Sequence, residues 1–307
     1  MNKQLMTPSP VSTNMPKQPN PAATQNPAAA QNPAVHLARR LCQAKWTTAA
    51  LEDFASVFFA TEEVAKEEVL KEVPEFVPRL LAATTENGDD CTPLMLLDFI
   101  GPDSMPREHI PLCASTLVFA AEAAFRKKNE DVAVMTIHIT YNFAKKHSDS
   151  FTLAYEGRPS AFVALAEMAT GRMDEVDSGM FGLLCGVLSK SPVLGSECLR
   201  SGVPAMLAPL LSTAHDDFSA SAWALKALAL LAKNEDLDLL AASMPPVVGW
   251  LMAIKVTKTP ASRENLELTI ERLSRVPSLV FKKEPLEKIW LKSFACMLPG
   301  VDRNVKK

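Results

Sequence analysis

The sequence predicts an all-α fold. Only 11 of the 307 residues are glycine, no run of alternating β-branched residues is bounded by turn residues, and apolar residues recur at helical spacing. Hydrophobic residues make up 48% of the chain, which is enough to bury a sizeable core. From about Val35 to residue 300 the sequence therefore divides into helices of roughly 8 to 20 residues.

Residues 1–34 have a composition that does not favour a packed core. Seven prolines fall between Pro8 and Pro33, and Asn-Pro-Ala recurs every six residues in NPAATQNPAAAQNPA. Such a polar, proline-interrupted segment is predicted to be disordered. Three roles are open for it: a spacer, a linear motif for a partner, or, because it lacks acidic residues, a mitochondrial transit peptide.

Residues 35–72 are predicted to form a helical N-terminal cap. Thr48 is the expected N-cap residue of its second helix. Phe54, Phe58 and Phe59 follow at helical spacing, which is typical of a core rather than of a ligand site. The next segment, TEEVAKEEVLKEV, places acidic residues early and lysines later, the order that the helix dipole favours.

Prolines recur along the rest of the chain. They are Pro111, Pro159, Pro204 and Pro246, separated by 48, 45 and 42 residues, with Pro74 as a degenerate first member. Gly157 and Gly202 stand two residues before two of them, and both are expected to take the left-handed conformation that ends a helix. Proline then starts the next helix, because its φ is preset and it lacks only an N–H that has no helical partner there. Met244 replaces the glycine at a third corner, which must be built differently.

Each of the first three proline-led helices is followed by a second apolar helix that ends in lysine. These second helices lie within residues 131–149, 175–192 and 218–236. Lysine at a helix C-terminus interacts favourably with the helix dipole. In the middle segment Gly182 and Gly186 are four residues apart, and we expect both to let a neighbouring helix approach closely.

The segment SGVPAMLAPLLSTAHDDFSASAWALKALALLAKNED, residues 201–236, resembles an armadillo repeat. It has a Gly-x-Pro corner, a leucine-rich second helix and a long third helix, and the spacing of about 40 to 47 residues is that of armadillo and HEAT arrays. The resemblance implies an armadillo-like, right-handed α-solenoid with repeats over residues 73–255. Residues 256–307, which include the amphipathic EPLEKIWLKSFACML, are expected to cap the last repeat.

In the armadillo family the third helices line a concave groove, where a Trp and an Asn four residues later clamp an extended peptide. The Trp position corresponds to Trp223, but the Asn position holds Ala227. In an earlier unit ITYNFA supplies Asn142, and the position four residues before it holds His138. The resemblance therefore implies a groove whose chemistry differs from that of importin-like receptors for basic signals.

Five residues form the candidate partner-binding groove. His138, Asn142 and Lys145, at i, i+4 and i+7, place a polar stripe on an otherwise apolar helix. Trp223 and Lys226 occupy the aligned positions of a later unit, where Lys226 interrupts an apolar run. An ordinary solvated face for the first group and a core position for Trp223 are the alternatives.

No motif indicates catalysis or a cofactor. The sequence has no G-x-S-x-G, no phosphate-binding glycine loop and no H-E-x-x-H, and the adjacent His147, Ser148 and Asp149 are read as a helix end. No histidine lies at metal-ligand spacing from a cysteine, and the six cysteines are expected to be buried thiols. No run approaches the ~18 apolar residues of a membrane span.

The expected function is that of a non-enzymatic adaptor or scaffold that binds a protein partner, without cofactor or metal, as a monomer or within a complex. The fold analogy also allows a co-chaperone that binds a heat-shock chaperone in the manner of a nucleotide-exchange factor. Residues 1–51 carry five basic residues and no acidic one, so the rest of the chain has a net charge of −8, which gives −3 overall. This acidic character disfavours RNA binding. The expected location is the cytoplasm, with the nucleus or the mitochondrion as alternatives.

Overall fold

The computed structural model describes residues 32–44, 46–60, 63–86, 90–171, 178–212, 219–254 and 259–279. Within these ranges the chain is helical and contains no β-strand, which confirms the all-α prediction. The tail up to residue 31 and the segment EPLEKIWLKSFACML lie outside the described residues. The predicted disorder of the first and the predicted capping role of the second stay predictions.

The described residues form fifteen α-helices. The first seven are α1 (Pro33–Gln43), α2 (Thr48–Phe59), α3 (Glu63–Glu72), α4 (Phe76–Glu86), α5 (Thr92–Ser104), α6 (Ile110–Arg126) and α7 (Glu130–Glu156). The others are α8 (Pro159–Gly171), α9 (Ser178–Leu188), α10 (Pro192–Arg200), α11 (Val203–Leu207), α12 (Ala220–Leu231), α13 (Leu237–Ser243), α14 (Pro245–Ala253) and α15 (Pro260–Ser274). Short 3₁₀ segments at Arg107–His109 and Ala208–Ser212 precede α6 and follow α11.

The helices pack in two rows. Row A consists of α2, α5, α7, α9, α12 and α15, and each of these helices packs on the next. Row B consists of α4, α6, α8, α11 and α14, which also pack on one another in chain order. The two rows contact each other because α4 packs on α5, α6 on α7, α8 on α9, and α11 on α12. Apolar side chains are thus buried between helices that are close in the chain, as in repeat proteins.

The recurring prolines mark the helices of row B. Pro111, Pro159, Pro204 and Pro246 all lie in the first turn of such a helix, as predicted. Proline is stable there because the first turn of a helix does not use its N–H groups for internal hydrogen bonds. The intervals between these prolines in the sequence therefore fix where the row B helices from α6 to α14 begin.

The corners before these helices are built in three ways. Gly202 has φ 77° and ψ 16°, the left-handed conformation that was predicted. Gly157 has φ −69° and ψ −14°, so the same prediction is wrong for Gly157. There the chain turns through a hydrogen bond from the Arg158 N–H to the Tyr155 carbonyl, 2.9 Å long. At the third corner the fully buried Met244 takes φ −96° and ψ −5°, close to helical values, so no glycine is needed.

Two helix starts differ slightly from the sequence-based prediction. The first helix begins at Pro33 rather than near Val35, because the Asn32 side chain accepts a hydrogen bond from the N–H of Ala34. The second helix is capped by Thr47, whose hydroxyl oxygen accepts from the N–H of Ala50 at 3.3 Å. The predicted N-cap, Thr48, is instead the first helical residue.

The N-terminal helices pack around aromatic rings. Phe54 and Phe58 are buried, as predicted, with ring centroids 4.9 Å apart. Phe76 of α4 contacts both rings, with centroids 5.0 and 6.1 Å away. Phe59 is only partly buried and meets Phe99 of α5 edge-on at 5.1 Å. Together the aromatic rings connect α2 to α4 and α5.

Ion pairs connect successive helices of row A. α7 bends at His147, where φ −125° and ψ 39° are not helical, so the predicted helix end is a bend. Just before the bend Lys146 pairs with Asp103 of α5. Just after α9, Lys190 pairs with Asp149 of α7 at 2.6 Å. Similar ion pairs thus connect α5 to α7 and α7 to α9.

Candidate functional site

The predicted polar stripe on α7 is exposed to solvent. His138, Asn142 and Lys145 are exposed, whereas the intervening Phe143 and Ala144 are buried. Spacings of four and three residues bring the exposed side chains onto one face of the helix. The stripe is therefore part of the surface of row A.

Tyr141 lies beside this stripe and supports Lys145. The Lys145 ammonium stands 4.4 Å from the centroid of the Tyr141 ring, which is the geometry of a cation–π contact. The ring itself is half-buried and packs against the apolar core. Sequence reasoning did not select Tyr141, although its position four residues before Lys145 is a signal for this contact.

Gly182 of α9 allows Tyr141 to approach closely. A Cβ atom at Gly182 would lie 2.7 Å from Cε2 of Tyr141, which is closer than real side chains approach each other. The predicted packing role of this glycine is confirmed. The missing side chain lets the Tyr141 ring lie directly against the backbone of α9.

Gly186, one turn later, has a different role. A Cβ atom there would meet nothing within 4 Å, so the prediction that Gly186 serves close helix packing is wrong. It instead borders a surface cavity of about 240 Å³ between α7 and α9. The lining of this cavity includes Tyr141, Lys145, Ser148, Gly182, Gly186 and Lys190. We call the contact between these two helices the α7–α9 seam. It is tightly packed at Gly182 and open at Gly186.

Trp223 of α12 lies at the other side of α9. It is partly buried, and its ring stacks on that of Phe181 with centroids 6.5 Å apart and an interplanar angle of 17°. The Lys226 ammonium stands 5.0 Å from the centroid of the same ring. The indole Nε1 is buried and has no hydrogen-bond partner in the described part of the chain. Trp223 thus combines a core contact with a cation–π contact at the surface.

The five predicted residues form two groups rather than one cluster. His138, Asn142 and Lys145 lie on α7, Trp223 and Lys226 lie on α12, and α9 packs between these helices. α9 contributes residues to both sides, since Gly182 contacts Tyr141 and Phe181 contacts Trp223. We call the exposed surface of α7, α9 and α12 around these residues the row A surface.

The charges of the row A surface are not all neutralised. Lys145 and Lys226 have no carboxylate within ion-pair distance among the described residues, and both are exposed. Lys190, at the cavity, is different because its ammonium binds Asp149 and the Ser148 hydroxyl, each at 2.6 Å. Two positive charges are therefore left without an acidic partner in the part of the chain that the structure describes.

Four of the five described cysteines are buried, as predicted, whereas Cys91 is only partly buried and Cys296 lies outside the described residues. Cys42, Cys113, Cys185 and Cys198 are buried, and none of the described cysteines forms a disulfide. Burial raises the pKa of the Cys113 and Cys198 thiols to about 12. For Cys185 burial raises the pKa to about 12 against the opposing effect of the Lys226 charge. Thiols with such pKa values are protonated at neutral pH and are poor nucleophiles.

Metal-binding clusters and membrane-spanning helices are absent from the described ranges. There, no group of three or more His, Cys, Asp or Glu side chains is arranged to hold a metal ion. Among the same residues no helix has the length and apolar character to cross a membrane.

Comparison of the chain with protein-family models, with curated proteins and with solved structures gives no significant match.

Proposed function

We propose that this protein is a non-enzymatic interaction module that holds an extended segment of a partner protein on the row A surface. In this proposal the fold is an armadillo-like, right-handed solenoid with row A on its concave side. The two rows of helices, with contacts between close neighbours in the chain, support this description.

One observation carries the proposal. Two cation–aromatic pairs, Tyr141 with Lys145 and Trp223 with Lys226, stand on either side of α9, and a cavity opens beside Gly186 next to the first pair. Half-buried aromatic rings and an open cavity are the features that anchor a partner in protein interfaces. A segment crossing α7, α9 and α12 would contact all three features at once.

The proposed segment is extended because the features lie on three successive helices. A chain that crosses the helices can present side chains to each of them in turn, whereas a small ligand would reach only one. Binding would depend on surface shape and a few anchors, without chemistry on the partner. The exposed His138 and Asn142 offer polar groups beside the first anchor.

The experiment is a selection of random peptides displayed against the full-length chain, followed by measurement of their affinity for a variant in which the cavity is filled. Gly186→Met extends a side chain into the open space, and a Cβ atom at this position meets no neighbour. The matched control is Gly249→Met, at another exposed helical glycine with no neighbour within 4 Å, on α14 of row B.

We expect the selected peptides to bind wild type and Gly249→Met equally well and Gly186→Met at least tenfold more weakly. Circular dichroism and urea unfolding check that both variants are folded. Both substitutions replace a helical glycine, so neither is expected to lose helix stability. Equal affinity for all three proteins would show that the partner binds elsewhere and would overturn the proposal.

A further inference from the structure

We propose that the segment held on the row A surface is acidic, with carboxylates that pair with Lys145 and Lys226. This inference rests on the proposed function and names the chemistry of the partner. The occupant is an extended stretch of a protein chain with acidic residues on both sides of an apolar or small side chain.

These two lysines have no acidic partner among the described residues. Each ammonium stands over an aromatic ring, 4.4 Å from the Tyr141 centroid for Lys145 and 5.0 Å from the Trp223 centroid for Lys226. A ring attracts a cation through its quadrupole but does not neutralise its charge. A carboxylate arriving from solvent can therefore pair with either lysine without displacing an acidic residue of the described chain.

Two other lysines of row A do have acidic partners. Lys146 pairs with Asp103, and Lys190 pairs with Asp149. Those pairs connect neighbouring helices, so the charges of Lys146 and Lys190 are already neutralised within the fold. Lys145 is next to Lys146 in sequence, yet it points to the cavity and contacts only the Tyr141 ring among the charged and aromatic groups described.

The position of Lys226 extends the positive potential over α9. The Lys226 ammonium stands over the Trp223 ring, and this ring stacks on Phe181 of α9, so the charge of Lys226 lies beside α9. Lys145 borders the cavity on the opposite side of the same helix. The potential between α7 and α12 is therefore favourable for negative groups that cross α9.

The helix packing also predicts the spacing of the acidic residues. Packed helices lie about 8–10 Å apart, so α7 and α12, with α9 between them, are separated by roughly 16–20 Å. An extended chain covers about 3.3–3.6 Å per residue, so the two carboxylates should be about five or six residues apart. Side chains alternate along an extended chain, so a spacing of about six puts both acids on one side, with a residue between them above the cavity.

The test uses three labelled peptides of equal length on a Gly-Ser background. The first has two glutamates about six residues apart with a leucine between them, the second has lysines in place of the glutamates, and the third has the glutamates about three residues apart. Fluorescence anisotropy at low ionic strength measures their binding to the full-length chain. We expect the first peptide to bind best and the lysine peptide worst, with a difference that shrinks as salt is added.

Charge removal on the protein completes the test. The variant Lys145→Gln/Lys226→Gln is compared with Lys127→Gln/Lys233→Gln, which removes the same charge from two exposed helix ends. We expect affinity for the first peptide to fall about threefold for each lysine of the first pair, as for exposed ion pairs, and to stay unchanged in the control. Equal losses in both variants, or equal binding of the lysine peptide, would overturn the proposed acidic chemistry.

The two proposals fail in different ways. If Gly186→Met abolishes binding of selected peptides while Lys145→Gln/Lys226→Gln does not weaken any of them, the surface binds a partner that is not acidic. The acidic proposal is then wrong and the interaction function stands. If the acidic peptide binds Gly186→Met and Lys145→Gln/Lys226→Gln as well as wild type, and the selected peptides also bind Gly186→Met as well as wild type, both proposals are wrong.

Discussion

Two groups of charged residues, one in each row, differ in how the fold uses them. In row B, Glu122 of α6 has a side chain that is only 5% exposed. It accepts hydrogen bonds from Arg126 at 2.7 Å and from Arg158 at 2.9 Å. Burial by itself would raise the pKa of this carboxyl, but hydrogen bonds from Arg158, Ser160 and Arg126 outweigh it and hold the pKa below its ordinary value.

The row A surface has the opposite arrangement. Lys145 and Lys226 are exposed, contact aromatic rings, and have no carboxylate partner among the described residues. Glu122 and its arginines connect α6 to the start of α8, whereas each of these lysines contacts a ring on its own helix. Neither lysine therefore holds two helices together through its charge.

Charge that stabilises the fold therefore differs from charge that can bind a partner. A buried carboxylate with two guanidinium partners is satisfied within the fold, and its loss removes the hydrogen bonds that join α6 to the start of α8. A lysine on an aromatic ring is positioned but not neutralised. Removing the first should change stability, and removing the second should change binding.

The largest effect on stability is expected for Glu122→Ala. We expect it to lower the free energy of unfolding by about 2–3 kcal/mol, because hydrogen bonds to charged groups are lost from a buried position. Urea unfolding measures the change. The control is Glu235→Ala, at an exposed position, for which less than about 0.5 kcal/mol is expected. Similar losses in both variants would show that Glu122 does not connect the helices as proposed.

The contribution of Glu122 should also depend on pH. Its pKa is lower in the folded protein than its ordinary value of 4.5, so its stabilising effect is fully present above that value. The effect is lost as the pH falls through the folded-state pKa, because the carboxyl is then protonated in both states. The stability difference between wild type and Glu122→Gln should be constant from neutral pH down to about 4.5 and shrink below it. A difference that grows on acidification contradicts this.

The next largest effect is expected for Gly182→Ala in the α7–α9 seam. The added Cβ would lie 2.7 Å from the Tyr141 ring, so the ring and α9 must move apart. We expect a loss of about 1–3 kcal/mol in the free energy of unfolding, as for overpacked cores. The loss should be much smaller when Gly182→Ala is made in a Tyr141→Ala protein. An equal loss in both backgrounds would mean that the ring is not the obstacle.

Gly186→Ala should have the opposite sign, although the two glycines are only four residues apart on α9. The added methyl group meets nothing within 4 Å, and alanine favours a helix more than glycine does. We expect the free energy of unfolding to rise by about 0.5–1 kcal/mol. A destabilised variant would show that the seam is closed at Gly186, and the proposed binding cavity would be lost with it.

The sequence predicts well those features that depend on local chemistry. The starts of the row B helices follow from Pro111, Pro159, Pro204 and Pro246, because proline is restricted by its own ring and not by distant residues. The all-α class follows from composition and spacing in the same way. The N-cap of α2 differs by one residue because Thr47 and Thr48 are neighbours with the same side chain.

Features that depend on contacts between helices could not be predicted in this way. Gly182 and Gly186 look equivalent in sequence, but only the first faces an aromatic ring on α7. Gly157 and Gly202 have the same motif, yet they differ in backbone conformation. The contributions of Tyr141 and Phe181 to the row A surface depend likewise on which side chains meet across α9.

The smallest effect on stability is expected for Lys145→Gln and Lys226→Gln. Each loses one exposed cation–π contact, so we expect the free energy of unfolding to fall by about 0.5 kcal/mol per substitution, the lower end of the range for exposed contacts. Urea unfolding of both variants, beside Glu122→Ala, places all three on one scale. A loss of about 2 kcal/mol or more for either lysine, comparable to that of a hydrogen-bonded buried charge, would show that its charge is structural. The distinction between the two rows would then disappear, and with it the reason to expect an acidic partner on row A.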